Sequence, residues 1–354
     1  MAYGRVPASH RAVLPTRLAA PRPLLNDLCM SGWQVAPPAP ADLHARFREE
    51  LLAWREGHAQ GHVYALLDPH YPVAPDDELN AAELAARPLP RPMATILRPD
   101  LAHEPDLLPL LVQLYTAGEN GYVDEALLDL TFISALERCR SIYGSYVAGW
   151  LLSEAQPVAL AKQLARSGVI LDLHQGKERF FPLFEPHRLA LLADSSPTSG
   201  PLQRWLAPVD RWLFIDSAGA LRRLDRERER AEAKPLRTSA LSSAQAAAQD
   251  RVATARYVVM AMDRADLFVE RPEKRIDESL QRGQQRGLRG REDLVLFALN
   301  DLTLGLRWSE HPVAAAVIEK VAMNPELALG VELSALPDEV LDAFGSGSAT
   351  PAGT

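Results

Sequence analysis

The sequence predicts an α/β lobe, a mixed sheet with flanking helices, followed by an all-α helical lobe. Three observations carry that expectation. Between residues 42 and 224, short apolar runs closed by turn residues alternate with segments whose apolar side chains recur three or four positions apart. After Leu224 the pattern becomes charge-mixed and alanine-rich, with helical spacing only. At 354 residues the chain exceeds the usual reach of one hydrophobic core, so two lobes are expected. The resulting division is a flexible Pro/Ala-rich arm at 1–41, an α/β lobe at 42–224, a helical lobe at 225–345 and a disordered tail at 346–354. No second functional domain is expected behind that tail.

The first element is a helix from Asp42, a plausible N-cap, with Leu43, Phe47, Leu51 and Trp54 on one face and Gly57 and Gly61 closing it. His62–Leu67 follows as a buried strand, because it is short, apolar and ended by Asp68-Pro69. A proline-rich connection leads to a second strand, Met93–Leu97. Pro105 then opens a predicted helix lined by Leu107, Leu108, Leu111 and Leu114, and Val123, Leu127, Leu130 and Ile133 mark another. Tyr143–Leu152 reads as a strand, and a helix from Pro157 runs to about Ala165, with Gly168 where a C-cap belongs. The aromatic run Phe180, Phe181 and Phe184 reads as a strand ending at Glu185-Pro186, with a short apolar helix directly after it. Trp212–Ile215 and Ala220–Leu224, joined by Asp216-Ser217-Ala218-Gly219, form a hairpin.

Beyond Leu224, charges three apart over 225–237 predict an exposed helix, each pair contributing only ~0.2–0.5 kcal/mol. An alanine-rich helix is expected from Ser239 to about Asp266, with Val252, Ala255, Val259 and Met262 on one face. Helices at 273–286, 291–304 and 313–322 complete the lobe, the last with a stripe of Val313, Ala314, Val317, Ile318 and Val321.

Composition narrows the function. A net charge of −8 gives no global attraction to nucleic acid or anionic lipid. No window approaches 18 apolar residues, and the first 30 residues lack the apolar core of a secretory signal. Two cysteines, Cys29 and Cys139, fit a reducing compartment, so a cytoplasmic protein is expected.

Catalytic and metal motifs are sparse. The chain holds no G-x-S-x-G, H-E-x-x-H or P-loop pattern: His103-Glu104 runs into Pro105-Asp106-Leu107, and Leu171 stands where a P-loop before Gly176-Lys177 needs its first glycine. His174 and His187 could bind a metal with Asp172 or Glu185, but without cysteine partners ordinary histidines are expected and no cofactor is assigned. Asp68 stands where active-site acids often sit after a strand; the plainer reading is that Asp68-Pro69 ends the strand by turn chemistry. The basic run from Arg271 to Arg291 is interleaved with acids and lacks stacking aromatics, which favours a solvated face or the rim of a protein interface over nucleic-acid binding. Trp205 and Trp212 read as packing where the lobes meet, with an interface anchor as the alternative.

The ordered segments VYALLD (63–68), SYVAGWLLSE (145–154), RFFPLFEPHRLALL (179–192) and PLQRWLAPVDRWLF (201–214) resemble the domain-of-unknown-function 4123 family, adaptor chaperones of bacterial type VI secretion. The likeness covers roughly 62–224, and GLRGREDLVLFALNDL (287–302) with His311-Pro312 fits the family's C-terminal half. The chain departs from the family pattern at Glu185, usually aspartate, at Phe181, usually arginine, and at His187-Arg188, usually arginine-valine.

The resemblance implies an adaptor that binds a cognate secreted effector and helps load it onto the spike protein of the secretion needle, with no reaction, membrane or nucleic acid involved. On that reading the effector surface is expected around Phe181, Phe184, Glu185 and Arg188, with Trp212 nearby. Rival readings are a hydrolase using Asp68 and Glu185, and a structural subunit of the secretion machine.

Overall fold

Leu43, Phe47, Leu51 and Trp54 form the buried stripe of helix α1 (Pro40–Gly57), as their spacing requires. A computed structural model describes residues 40–118, 124–142, 144–172, 176–195, 200–226 and 240–346. Most of the expected arm, of the charged segment at 225–237 and of the tail lies outside the described residues, while Pro40 and Ala41, placed in the arm, begin helix α1.

Strand β1 (His62–Leu67) is buried along its whole length at the centre of a six-stranded sheet. Helix α2 (Ala81–Ala86) follows, and then β2 (Met93–Thr95), β3 (Leu110–Tyr115), helix α3 (Glu125–Arg138) and β4 (Val147–Ser153). After helix α4 (Pro157–Ser167) come β5 (Val169–Asp172), β6 (Lys177–Phe180), α5 (Pro186–Ser195) and α6 (Gly200–Leu206). The hairpin β7 (Arg211–Ile215) and β8 (Leu221–Asp225) completes the large sheet, whose order is β2-β3-β1-β4-β7-β8 with every pair antiparallel. The parallel component sits in a small second sheet, where β5 pairs with β6 on one side and with β9 (Ala240–Leu241) on the other.

The predicted helix after Pro105 is a correction. Only Pro105–Leu107 is helical, as one 3₁₀ turn, and Leu110–Tyr115 is the strand β3. Leucines at 107, 108, 111 and 114 fit a helical period, but Pro109 disfavours helix at Leu108, whose ψ of 134° is extended. The aromatic strand is also shorter than expected: β6 stops at Phe180, and Pro182 to Glu185 forms a turn closed by Glu185 N donating to Pro182 O.

Helices cover both faces of the large sheet. Val63, Ala65 and Leu67 point to α1 and α3, while Tyr64 and Leu66 point to α4, α5 and α6. In β4 the alternation slips: Val147, Trp150 and Leu152 share the first face, Ala148 and Leu151 the second. The cause is a bulge at Gly149, whose φ is +142° and where Leu66 pairs with Gly149 but Leu67 with Val147.

The helical lobe consists of α7 (Ser243–Arg264), α8 (Pro272–Gln285), α9 (Arg291–Thr303), α10 (Pro312–Met323), α11 (Leu329–Ser334) and α12 (Asp338–Ser346). The fold is thus an α/β lobe followed by a helical lobe, and the described residues belong to one compact unit. Trp308, fully buried, donates from Nε1 to Asp301 Oδ1 at 2.8 Å, and Arg282 donates to Oδ2 of the same carboxylate at 2.6 and 2.9 Å.

Helix α7 starts later than the alanine pattern suggests because Ser242 forms a capping box with Gln245. Ser242→Ala is expected to cost about 0.5–2 kcal/mol in chemical denaturation, the usual worth of such a cap.

Candidate functional site: the joint between the lobes

Asp68 ends β1, and its place follows from local turn chemistry. Its amide donates to Tyr146 O at 2.7 Å, its Oδ1 accepts from His70 N at 3.2 Å, and its carbonyl accepts from Tyr71 N at 3.0 Å. This turn throws Tyr71 across the sheet end towards Glu185, the residue just before α5. Gly144 makes room: a Cβ there would lie 2.8 Å from the Tyr71 ring, and its φ of +87° suits glycine. Tyr71 Oη donates to Glu185 Oε1 and accepts from Arg256 Nη2 at 2.6 Å.

Glu185 is 2% exposed and paired with Arg188 of α5 and Arg256 of α7. Arg188 continues into α7, donating to Gln249 O at 2.8 Å, while Gln249 Nε2 donates back to Arg188 O at 3.3 Å. A single carboxylate thus ties the α/β lobe to the first helix of the helical lobe. Asp68 joins this network electrostatically: burial pushes its carboxyl up to about 6, and Arg98 and Arg256 act against that rise.

The cleft beside Glu185, lined also by Gly144, Ser145, His187, Ser217 and Arg256, measures about 20 Å³. That is room for a water molecule, far below the ~300 Å³ of small-molecule pockets.

Most of the residues expected to meet a partner lie inside the molecule, and this corrects the sequence reading. Phe181 is 3% exposed, and Phe184 and Trp212 are fully buried. Phe184 packs on Trp205, and Trp205 on Trp212, each at 5.9 Å between ring centroids. Arg98 lies over Phe180 and Phe184, and Arg179 over Phe181 at 4.1 Å. The aromatic run therefore fills the α4–α6 face of the sheet instead of standing on the surface. Glu185 and Arg188 are likewise occupied by the joint. The packing reading of Trp205 and Trp212 agrees with this burial.

The proposed metal ligands do not gather. Glu185 is held by arginines, His187 Nδ1 hydrogen-bonds Ser217 Oγ at 3.1 Å, and His174 lies outside the described residues. Among the described residues no cluster of three or more His, Cys, Asp or Glu side chains could hold a metal ion. In the basic run, Arg282 is tied to Asp301 and Arg291 donates to Tyr257 Oη at 3.0 Å.

A second buried cluster lies beside the first. Glu273, in the first turn of α8, is fully buried and accepts from Ser217 N at 2.8 Å. Asp216, the preceding residue of the β7–β8 turn, accepts from Ala218 N and Ala220 N at 3.0 and 2.9 Å. Arg222 spans Asp194 at 2.6 Å and Asp216 at 3.4 Å. Burial raises both Asp216 and Glu273, and the nearby Glu273 charge adds to the rise of Asp216, which reaches about 7. His187 is pushed down to about 4 by burial, so it is neutral.

Sequence reasoning missed Tyr71, Arg256, Asp216 and Glu273. One signal was present: Arg256 adjoins the apolar stripe of Val252, Ala255 and Val259, where a charge needs a buried partner.

No family model matches the chain, and no curated protein or solved structure matches it either. Among the described residues, no helix is long and apolar enough to cross a membrane.

Proposed function

We propose that the protein is a non-catalytic adaptor chaperone of type VI secretion that binds a cognate effector in the cytoplasm and helps load it onto the spike protein. The observation that carries this reading is the fate of the two acids a hydrolase would use. Asp68 is engaged in a strand-ending turn, and Glu185 is bound by Tyr71, Arg188 and Arg256, beside a cleft of only about 20 Å³. A buried carboxylate held by two guanidiniums and a tyrosine hydroxyl acts as a structural tie.

The segments that carry the family resemblance support the same reading. They supply β1, β4, β6, α5, α6 and β7, the central strands and one covering layer, so what they share with the adaptor family is scaffold. Effector contact then falls to outward-facing residues, since Phe181, Phe184 and Trp212 are buried. The hydrolase reading draws on the convergence of Asp68 and Glu185 about Arg256, but the cleft leaves no space for a substrate.

The test is affinity capture of the tagged protein from the bacterium that makes it, with bound proteins identified by mass spectrometry. Recovery of a spike protein with one toxin-like partner supports the adaptor. Recovery of neither, from cells expressing both, removes it.

A further inference from the structure

The fold separates charges that the sequence interleaves. Over 271–291 the acids are turned inward or already paired. Glu273 is fully buried on Ser217 N, Asp277 is held by Arg251 at 2.7 Å, and Glu278 lies 4.0 Å from Lys274. Arg282 is taken by the buried Asp301 at 2.6 Å. Arg286, Arg289 and Arg291 remain, three exposed guanidiniums on one short loop of a chain whose net charge is −8. Arg291 lies over the Tyr257 ring at 4.6 Å, while Arg286 and Arg289 have no ion-pair partner among the described residues.

The backbone that carries these arginines is fixed. Gly287, at φ +90°, donates to Gln284 O at 3.0 Å, and Leu288 N donates to Gly283 O at 3.1 Å while its side chain is buried, a Schellman ending to α8. A Cβ at Gly287 would stand 3.0 Å from Ala322 Cβ, so the loop lies against the end of α10. On the other side, Asp293 Oδ1 accepts from Leu329 N at 2.8 Å, which ties α9 to the start of α11. Close to these two contacts in the chain stand Met323 and Val331, 81% and 67% exposed. The corner of α8–α9, α10 and α11 thus combines exposed apolar side chains with guanidiniums held at set positions.

Helix stability does not account for the arginines. Arg286 suits the end of α8, but Arg289 and Arg291 stand at the positive end of α9, where a cation is unfavourable by about 0.3–1 kcal/mol. Glu292 and Glu326 are exposed acids of the same corner, and neither pairs with these arginines among the described residues. Guanidiniums match carboxylates in a two-pronged geometry, so the chemistry that fits is a carboxylate-bearing partner. A nucleic acid fits less well, because Tyr257 is covered by Arg291, and Met323 and Val331 give no stacking platform.

We infer that this corner is a docking surface for an acidic amphipathic segment of another protein, whose carboxylates meet Arg286 and Arg289 and whose apolar side chains cover Met323 and Val331. The inference does not rest on the adaptor reading.

The test is fluorescence polarisation on the full chain with a labelled peptide of about 16 residues, rich in Glu and Asp, with leucine at every third or fourth place. The peptide is expected to bind, and to bind about tenfold or more weakly when Arg286→Glu and Arg289→Glu are combined. Combining Lys162→Glu and Arg166→Glu, two exposed cations of α4, changes the net charge equally and should leave binding unchanged. Met323→Ser should weaken it about threefold. No binding up to about 100 μM peptide overturns the proposal, and so does an equal loss in the two double variants. Tighter binding of an oligothymidylate of the same length would overturn it in favour of nucleic acid. A wild-type dimer in sedimentation that the Arg286→Glu, Arg289→Glu protein fails to form would overturn it in favour of a second copy of the chain. If that protein does not fold, Arg286→Gln with Arg289→Gln takes its place.

Discussion

Glu185→Ala is expected to destabilise the protein by about 3–5 kcal/mol in urea or guanidinium unfolding, the usual cost of removing one partner from a buried ion pair. The carboxylate is 2% exposed and serves Arg188, Arg256 and the Tyr71 hydroxyl together. Its removal leaves two arginines facing each other without a counter-charge, between an α5 that belongs to the sheet layer and an α7 that begins the helical lobe. Glu185→Gln retains an acceptor and should lose less. A loss under about 1 kcal/mol for the alanine variant would show that the joint is held by packing alone.

Gly149→Ala is expected to cost on the order of 4 kcal/mol, combining about 1–3 kcal/mol of backbone strain with a similar penalty for overpacking. At φ +142° an L side chain is already disfavoured, and a Cβ would stand 2.5 Å from Leu213 O and 2.8 Å from Trp212 Nε1. Neither neighbour can give way, because Leu213 O belongs to the adjoining strand and Trp212 is fully buried. The alternative outcome, a normal strand with the bulge removed, would flip every β4 side chain beyond it onto the wrong face. Circular dichroism and thermal unfolding would distinguish a destabilised native sheet from that rearrangement by whether near-ultraviolet tryptophan signals persist.

Much of the scaffold was legible because its elements are locally determined. The stripe of Leu43, Phe47, Leu51 and Trp54, the run His62–Leu67 and the turn at Asp216–Gly219 each announce their structure within a few residues. Residues 107–115 mislead for a physical reason: leucines spaced three and four apart in a run broken only by Pro109 and Gln113 fit either period, and only Pro109 and the shortness of the run favour a strand.

The joint was much less legible. Tyr71 and Glu185 are 114 positions apart, and Tyr71 and Arg256 are 185 apart, so no local pattern announces their meeting. The same distance in sequence explains why Phe181 and Phe184 look like surface residues in the sequence. An aromatic residue beside charges looks exposed until the layer that covers it is known, and here the arginines lie across the rings. Bulk shape hides the acid pair too: Glu273 follows a helix-starting proline, the usual setting of an exposed first-turn glutamate, yet it is fully buried.

The most direct measurement of the adaptor reading is capture of the tagged protein from the cells that make it, alongside a Glu185→Ala variant that weakens the joint. Specific recovery of one effector with the spike protein by the wild type, reduced in the variant, is the predicted result. Equal background recovery from both, in cells that produce effector and spike, would contradict an adaptor role.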